Sequence, residues 1–144
     1  ISIVYDTMWQ STRLMAEAIA SGMQAEDPAV VVKLFNVAKQ DKNDIVTEIF
    51  KSKAILAGSA TINNRYLSGM GGLLEMVKGM KFKKKKAAAF GSYGWSGEGN
   101  KLLSEDLSSA GFEIVNEGFK ALWVPDETVL AACQEYGRDF IRSL

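Results

Sequence analysis

Short, nearly uninterrupted apolar runs alternate along this chain with longer stretches in which apolar residues recur every three or four positions. The runs are Ile1 to Tyr5, Val30 to Phe35, Ala54 to Ala57, Ala87 to Phe90, and Phe112 to Val115 extended by Phe119 to Val124. Continuous apolar runs of that length read as strands buried on both faces. The helical spacing appears through Leu14, Met15, Ala18, Ile19 and Met23, and again near Asn43 to Phe50, Gly71 to Lys78, Glu98 to Ser109 and Glu127 to Leu144. Five strands alternating with five helices, with no repeat and no long linker, predict an α/β fold. Its parallel sheet would carry helices on both faces, joined by right-handed crossovers. Ligands in such sheets sit beyond the carboxyl ends of the strands. The loops after strands one, three and four are therefore the ones to read.

The first of these loops is Asp6-Thr7-Met8-Trp9-Gln10-Ser11-Thr12, between a β-branched strand and an amphipathic helix. A helix N-terminus presents unpaired N–H groups and the positive end of its dipole, so hydroxyls delivered there make a phosphate site. The glycine spacing of a dinucleotide loop is absent, as is the Gly-Lys-Ser/Thr ending of a nucleoside-triphosphatase loop. Neutral donors (Thr7, Ser11, Thr12) with Arg13 as the only nearby cation suit one terminal phosphomonoester. Ser11 or Thr12 acting simply as a helix cap would explain the same residues.

After strand three comes Gly58-Ser59-Ala60-Thr61-Ile62-Asn63-Asn64, whose glycine and asparagines tolerate the positive φ of a tight turn and whose amides can frame a polar heterocycle. The loop after strand four, Gly91-Ser92-Tyr93-Gly94-Trp95-Ser96-Gly97-Glu98-Gly99, alternates aromatic with small residues and can cover a planar ring. Two polar turns, one with aromatics packed on a helix, would be the plainer explanation. The common edge expected for all three loops favours a ligand.

Composition narrows the classes. The 144 residues fit one compact domain, and 17 basic against 17 acidic residues leave no global field for nucleic acid or a membrane surface. A lone Cys133 allows no internal disulfide, and no apolar segment suits a bilayer span or a signal peptide, so a cytoplasmic setting is expected. Histidine is absent, which excludes His-based triads and His-ligated metal within these residues.

Taken together, the three loops resemble the FMN-binding loops of flavodoxins. Tyr5-Asp6-Thr7-Met8-Trp9, Thr61-Ile62-Asn63-Asn64 and Phe90-Gly91-Ser92-Tyr93-Gly94-Trp95-Ser96-Gly97 are similar, more specifically, to the flavodoxin domain of flavodiiron proteins, the A-type flavoproteins that include flavorubredoxins. Leu34-Phe35-Asn36-Val37, Asp41-Lys42-Asn43-Asp44 and Trp123-Val124-Pro125-Asp126 extend the resemblance over essentially the whole chain. It implies a three-layer sandwich around a five-stranded parallel sheet of order 2-1-3-4-5. It also implies that residues 1–144 form one FMN-binding domain.

By the same resemblance, Thr7, Met8, Trp9, Gln10, Ser11 and Thr12 would hold the phosphate and the start of the ribityl chain. Ala60, Thr61, Ile62, Asn63 and Asn64, with Ser92, Tyr93, Gly94, Trp95, Ser96 and Gly97, would embrace the isoalloxazine, and Tyr93 or Trp95 would flank it. No residue here would make or break bonds, since the flavin carries the electrons and the protein tunes it. A poorly solvated pocket with few cations is expected to disfavour the negatively charged reduced ring and so to lower the second potential. In the family a proline commonly stands where this chain has Ala60, and the exchange predicts a more mobile second loop. The run Lys83 to Lys86 is expected to form a solvated turn at the face opposite the flavin.

Flavodiiron proteins also carry a metallo-β-lactamase-like domain that binds two irons through His, Asp and Glu. The present chain has no histidine and starts inside strand one without a methionine, so an excised domain of a longer protein is expected. The resemblance implies that a rubredoxin or another donor passes electrons through the FMN to the diiron centre, where dioxygen or nitric oxide is reduced. It further implies a homo-oligomer for the intact protein only. Two rivals share the FMN loops: a free-standing flavodoxin, usually more acidic, and an NAD(P)H:quinone reductase, which needs extra space for its substrates. A receiver domain would need an aspartate at the end of strand three, where this chain has Ser59-Ala60-Thr61.

Overall fold

In the computed structural model, which describes residues 1–144, the first strand β1 (Ser2–Asp6) is entirely buried and leads into helix α1 (Ser11–Glu26). There follow β2 (Lys33–Asn36), α2 (Lys42–Lys51), β3 (Ala54–Ile62), the two-residue β4 (Arg65–Tyr66) and α3 (Ser68–Met80). The chain closes with β5 (Lys86–Tyr93), α4 (Glu98–Ser109), β6 (Glu113–Ile114), β7 (Phe119–Leu122) and α5 (Glu127–Arg142). The main sheet runs β2-β1-β3-β5-β6, all parallel, which is the expected 2-1-3-4-5 order.

The fifth strand differs from the single run read in the sequence. It is two short pieces, β6 and β7, each pairing with β5 in parallel, Ala87 with Ile114 and Ser92 with Ala121. Between them Asn116 turns the chain, its side chain accepting from the Gly118 N–H (2.8 Å) and from the Tyr136 hydroxyl (2.9 Å). β2 is also shorter than expected, because Val30 to Val32 leave the turn after Asp27 without joining the ladder. β4 was not foreseen. It forms a small antiparallel hairpin with the end of β3.

Two cores flank the sheet. On one face Ile45, Ile49, Met70, Leu73, Val77, Leu103 and Leu107 from α2, α3 and α4 pack on Val4, Ile55, Ala57, Ala87 and Ala89. On the other, Met15, Ile19 and Met23 of α1 and Cys133 and Phe140 of α5 pack on Ile3, Leu56, Ala88 and Phe90. Strand residues alternate between these cores, as the pleat requires. The alanines of β5 (Ala87, Ala88, Ala89) let helices sit close on both sides. Helices α1 and α5 approach closely as well: a Cβ at Gly22 would strike the Gln134 backbone, and one at Gly137 the Ile19 backbone.

The lysine run lies at the amino end of β5, away from the loops that follow the strands. Lys83 and Lys84 are exposed, as a solvated turn would have them. Lys85 does more: its ammonium donates to the Phe50 and Ser52 carbonyls at the end of α2, while Lys86 donates to the Ser143 carbonyl after α5. Cations at helix C-termini satisfy orphan carbonyls and oppose the helix dipole. Burial lowers the Lys85 pKa from its ordinary value.

Candidate functional site

The first loop is tied down from below. Asp6, buried at the end of β1, accepts from the Thr7 N–H (3.0 Å) and faces the Gly69 and Met70 N–H groups at the start of α3. Burial pushes its carboxyl above the usual range, opposed by those N–H donors and by Lys42. The residue before α1, Gln10, takes the left-handed conformation (φ 66°), and no side chain caps the helix. The first intrahelical bond runs from the Leu14 N–H to the Gln10 carbonyl (3.0 Å), so the N–H groups of Ser11, Thr12 and Arg13 face out of the helix end. This answers the alternative of a simple cap: neither Ser11 nor Thr12 plays that part. Thr12 is fully buried and shares a hydrogen bond with Ser92 (3.0 Å), while the buried Thr7 Oγ1 has no partner.

The second loop is largely strand. β3 continues to Ile62, pairing Ala60 with Ser92 of β5, and then turns through Asn63 (φ 49°) and Asn64 (φ 61°) into β4. Two consecutive left-handed residues make the tight hairpin turn that asparagine accepts most readily after glycine. Ser59 adds a clasp, receiving the Leu67 N–H (2.9 Å). Ala60 lies in this strand, paired with Ser92 of β5 just before the hairpin that Thr61 and Ile62 form with β4. The third loop begins only after Tyr93, and Ser96 donates to the Asn64 side chain (3.3 Å). Hydrogen bonds thus tie the start of α1 to the end of β5 through Thr12 and Ser92, and the third loop to the second through Ser96 and Asn64.

Between them lies a cavity of about 420 Å³ lined by Met8, Trp9 and Ser11 from the first loop, Ala60, Thr61, Ile62 and Asn63 from the second, and Ser92, Tyr93, Gly94 and Trp95 from the third. A smaller recess beside it adds Asn64 and Ser96. Of the residues singled out in the sequence, Thr7, Gln10, Thr12 and Gly97 are not on the cavity wall. Thr7 and Thr12 support it from behind, Gln10 is the exposed residue before α1, and Gly97 precedes α4. Two lining residues were missed, Trp123 and Val124. Trp123 follows β7 in the left-handed conformation (φ 57°) and packs edge-on against Trp95, ring centroids 5.9 Å apart. The signal was present, since the Trp-Val-Pro-Asp segment also follows a strand that ends at this edge.

No charged residue lines the cavity. Arg13 points to Glu17 (2.8 Å) along the exposed flank of α1. An uncharged aromatic slot next to an uncapped helix end and an orphaned buried hydroxyl fits a ligand with a flat ring at one end and an anion at the other. Its volume lies in the usual ligand-pocket range of roughly 300–1,000 Å³.

A parallel 2-1-3-4-5 sheet with such a slot at its carboxyl edge defines a flavodoxin-type domain. Residues 3–137 match the flavodoxin family, and the chain belongs to it. FMN is the cofactor of that family, and the orphaned Thr7 hydroxyl and the open N–H groups of α1 suit its phosphate. Within the family it is similar to the flavodoxin part of longer proteins. It is 49% identical over 142 residues to the anaerobic nitric oxide reductase flavorubredoxin of Escherichia coli O1:K1, covering 99% of this chain and 29% of that protein. Among solved structures, the rubredoxin oxygen:oxidoreductase of Desulfovibrio gigas superposes with a TM-score of 0.92 at 34% identity, covering 99% of this chain and 35% of that one. An archaeal flavodoxin superposes with a TM-score of 0.83 at 26% identity and is covered over 97% of its length. The chain thus spans about a third or less of the flavodiiron-type relatives named here, and nearly all of a free-standing flavodoxin. None of its helices is long and apolar enough to cross a membrane.

Proposed function

We propose that residues 1–144 form a domain that binds FMN and relays electrons from a rubredoxin-like donor to a diiron centre. In this reading the irons sit in a metallo-β-lactamase-like domain of the same longer, homo-oligomeric protein, which acts in the cytoplasm. The observation that carries the reading is the convergence of three loops on one uncharged aromatic cavity, with an open helix end and the unpartnered Thr7 hydroxyl at its phosphate side.

The residue roles follow from chemistry at each position. Thr7 and Ser11 supply hydroxyls, Thr12 braces the helix end through its bond to Ser92, and the N–H groups from Met8 to Arg13 supply donors, so a phosphate is held by neutral groups and the α1 dipole. Ala60 to Asn63 and Ser92 to Trp95 present backbone and aromatic surface to the ring, and Trp9, Trp95, Trp123 and Val124 offer exposed apolar surface at its edge. The flavin, when bound, supplies the electron-carrying chemistry. The chain itself binds, orients and desolvates. Dioxygen or nitric oxide as the final acceptor is chosen by the domain that holds the irons.

The FMN-loaded chain mixed anaerobically with reduced rubredoxin tests this reading. Bleaching of the flavin bands on mixing is expected, with no steady NAD(P)H oxidation when a quinone is added alone. Turnover of NAD(P)H with quinone by this chain would instead make it a quinone reductase.

A further inference from the structure

The cavity wall is uncharged, yet two charges of opposite sign stand just outside it, against the third loop. Lys120, on the face of β7 opposite the buried Ala121, crosses the start of α4 and places its ammonium over the Tyr93 ring, 5.9 Å from the centroid. Its alkyl stem passes so near Gly97 that a Cβ there would come within 2.9 Å of the Lys120 Cδ. Residue 97 must therefore be small for Lys120 to lie in this groove. Glu98, in the first turn of α4, is the other charge. Its carboxyl is held below the usual range by the Ser96 hydroxyl, by its own backbone N–H and by Lys120. Neither residue pairs with any other charged side chain at salt-bridge distance. Arg13 is occupied with Glu17, and Arg65 lies over Tyr66 in a neighbouring groove.

We propose that Lys120 and Glu98 set the reduction potential of the flavin held beside Tyr93, Lys120 raising it and Glu98 lowering it. The proposal rests on the FMN reading above. Two electrons from the reductant and one proton leave a bound flavin one unit more negative, so a fixed cation nearby stabilises the reduced form and a fixed anion destabilises it. The wall carries no charge of its own, and both outside charges are solvent-exposed, so water and salt screen them in part. The expectation of a cation-poor pocket thus holds for the wall itself, whereas Lys120 partly offsets it from behind the third loop.

The size of the effect follows from distance. For any unit charge on the order of 10 Å from a flavin ring, Coulomb's law in a partly solvated medium gives a change in the ratio of reduced to oxidised flavin on the order of two- to tenfold. Lys120 differs from a purely structural residue in one respect. Its effect should follow the sign of the charge rather than the shape of the side chain.

The experiment is an anaerobic equilibrium titration of the FMN-loaded chain against a reference dye at neutral pH. It compares wild type with Lys120→Gln, Lys120→Arg, Glu98→Gln and the Lys120→Gln/Glu98→Gln pair, at low and high salt, after flavin stoichiometry has been measured for each. Lys120→Gln should lower the reduced fraction at fixed potential, Glu98→Gln should raise it, Lys120→Arg should match wild type and the pair should fall between the single variants. Added salt should shrink every difference. The proposal is overturned if the single variants hold FMN but move the potential not at all or in the same direction, or if Lys120→Gln alone loses FMN. A wild-type chain that takes up no FMN would overturn the reading of the site itself.

Discussion

Thr7 carries a buried hydroxyl with no hydrogen-bond partner, in a loop where every neighbouring element is anchored. An unsatisfied buried hydroxyl costs the folded chain about 1–3 kcal/mol of desolvation, a cost that a ligand accepting from Thr7 would remove. Thr7→Val should therefore leave the flavin-free chain as stable as wild type or more so, while weakening FMN binding about tenfold. Thermal unfolding and a fluorescence titration check the two halves separately. A second residue-level prediction concerns Asp106, which accepts from Tyr66 and from Lys78 (2.8 Å). Burial alone would raise its carboxyl, but Lys78 and Tyr66 outweigh that and hold it below its ordinary 3.8. A lowered folded-state pKa stabilises above the unfolded value and is lost as pH falls through the folded one. Asp106→Asn should then cost about 1–2 kcal/mol at neutral pH, and the gap to wild type should narrow below about pH 4 in urea unfolding. Residue identity was the most legible level in the sequence at the first loop, where hydroxyls precede a helix. It was least legible for Lys120 and Asp106, whose partners are distant in the chain.

At the scale of elements, the alternation of apolar runs and helical spacing located every helix and each main strand, because each element has one dominant period. The departures have physical causes. The hairpin of β3 with β4 was read as an open loop, since Thr61-Ile62 and Arg65-Tyr66 are too short to show a period and only the Asn63-Asn64 turn carries a signal. The two pieces of the fifth strand read as one in the sequence because only Asn116-Glu117-Gly118 separates the apolar run ending at Val115 from the one starting at Phe119. Trp123 and Val124 escaped notice as lining residues for a related reason: they follow that divided strand. The α1–α5 contact is another feature of elements rather than of single residues. Gly22 and Gly137 let the two backbones meet. Gly137→Ala should cost about 1–3 kcal/mol, the usual penalty of overpacking a closed interior, and should spare the sheet. Denaturant unfolding would show the loss, and an unchanged midpoint would mean that the helices can part freely.

For the whole molecule, the polarity of the parallel sheet divides the labour. At the amino ends of the strands, Lys85 and Lys86 tie down the ends of α2 and α5. At the carboxyl ends the backbone is left open, aromatic side chains are exposed, with Trp9 at 81% and Trp95 at 92%, and Ser96 ties the third loop to Asn64 of the second. Exposed tryptophans on that scale suit a surface that a ligand or another protein covers. The central claim is that the anion end of the site, at Thr7 to Arg13, is built for the phosphate of FMN. Titrating the flavin-free chain with FMN and, in parallel, with riboflavin isolates that contribution. We expect one FMN per chain, with quenched fluorescence, bound at least about 100-fold more tightly than riboflavin, as two charge-assisted hydrogen bonds of about 1.5–3 kcal/mol each would require. Equal affinity for the two flavins, or no uptake of either, would contradict it.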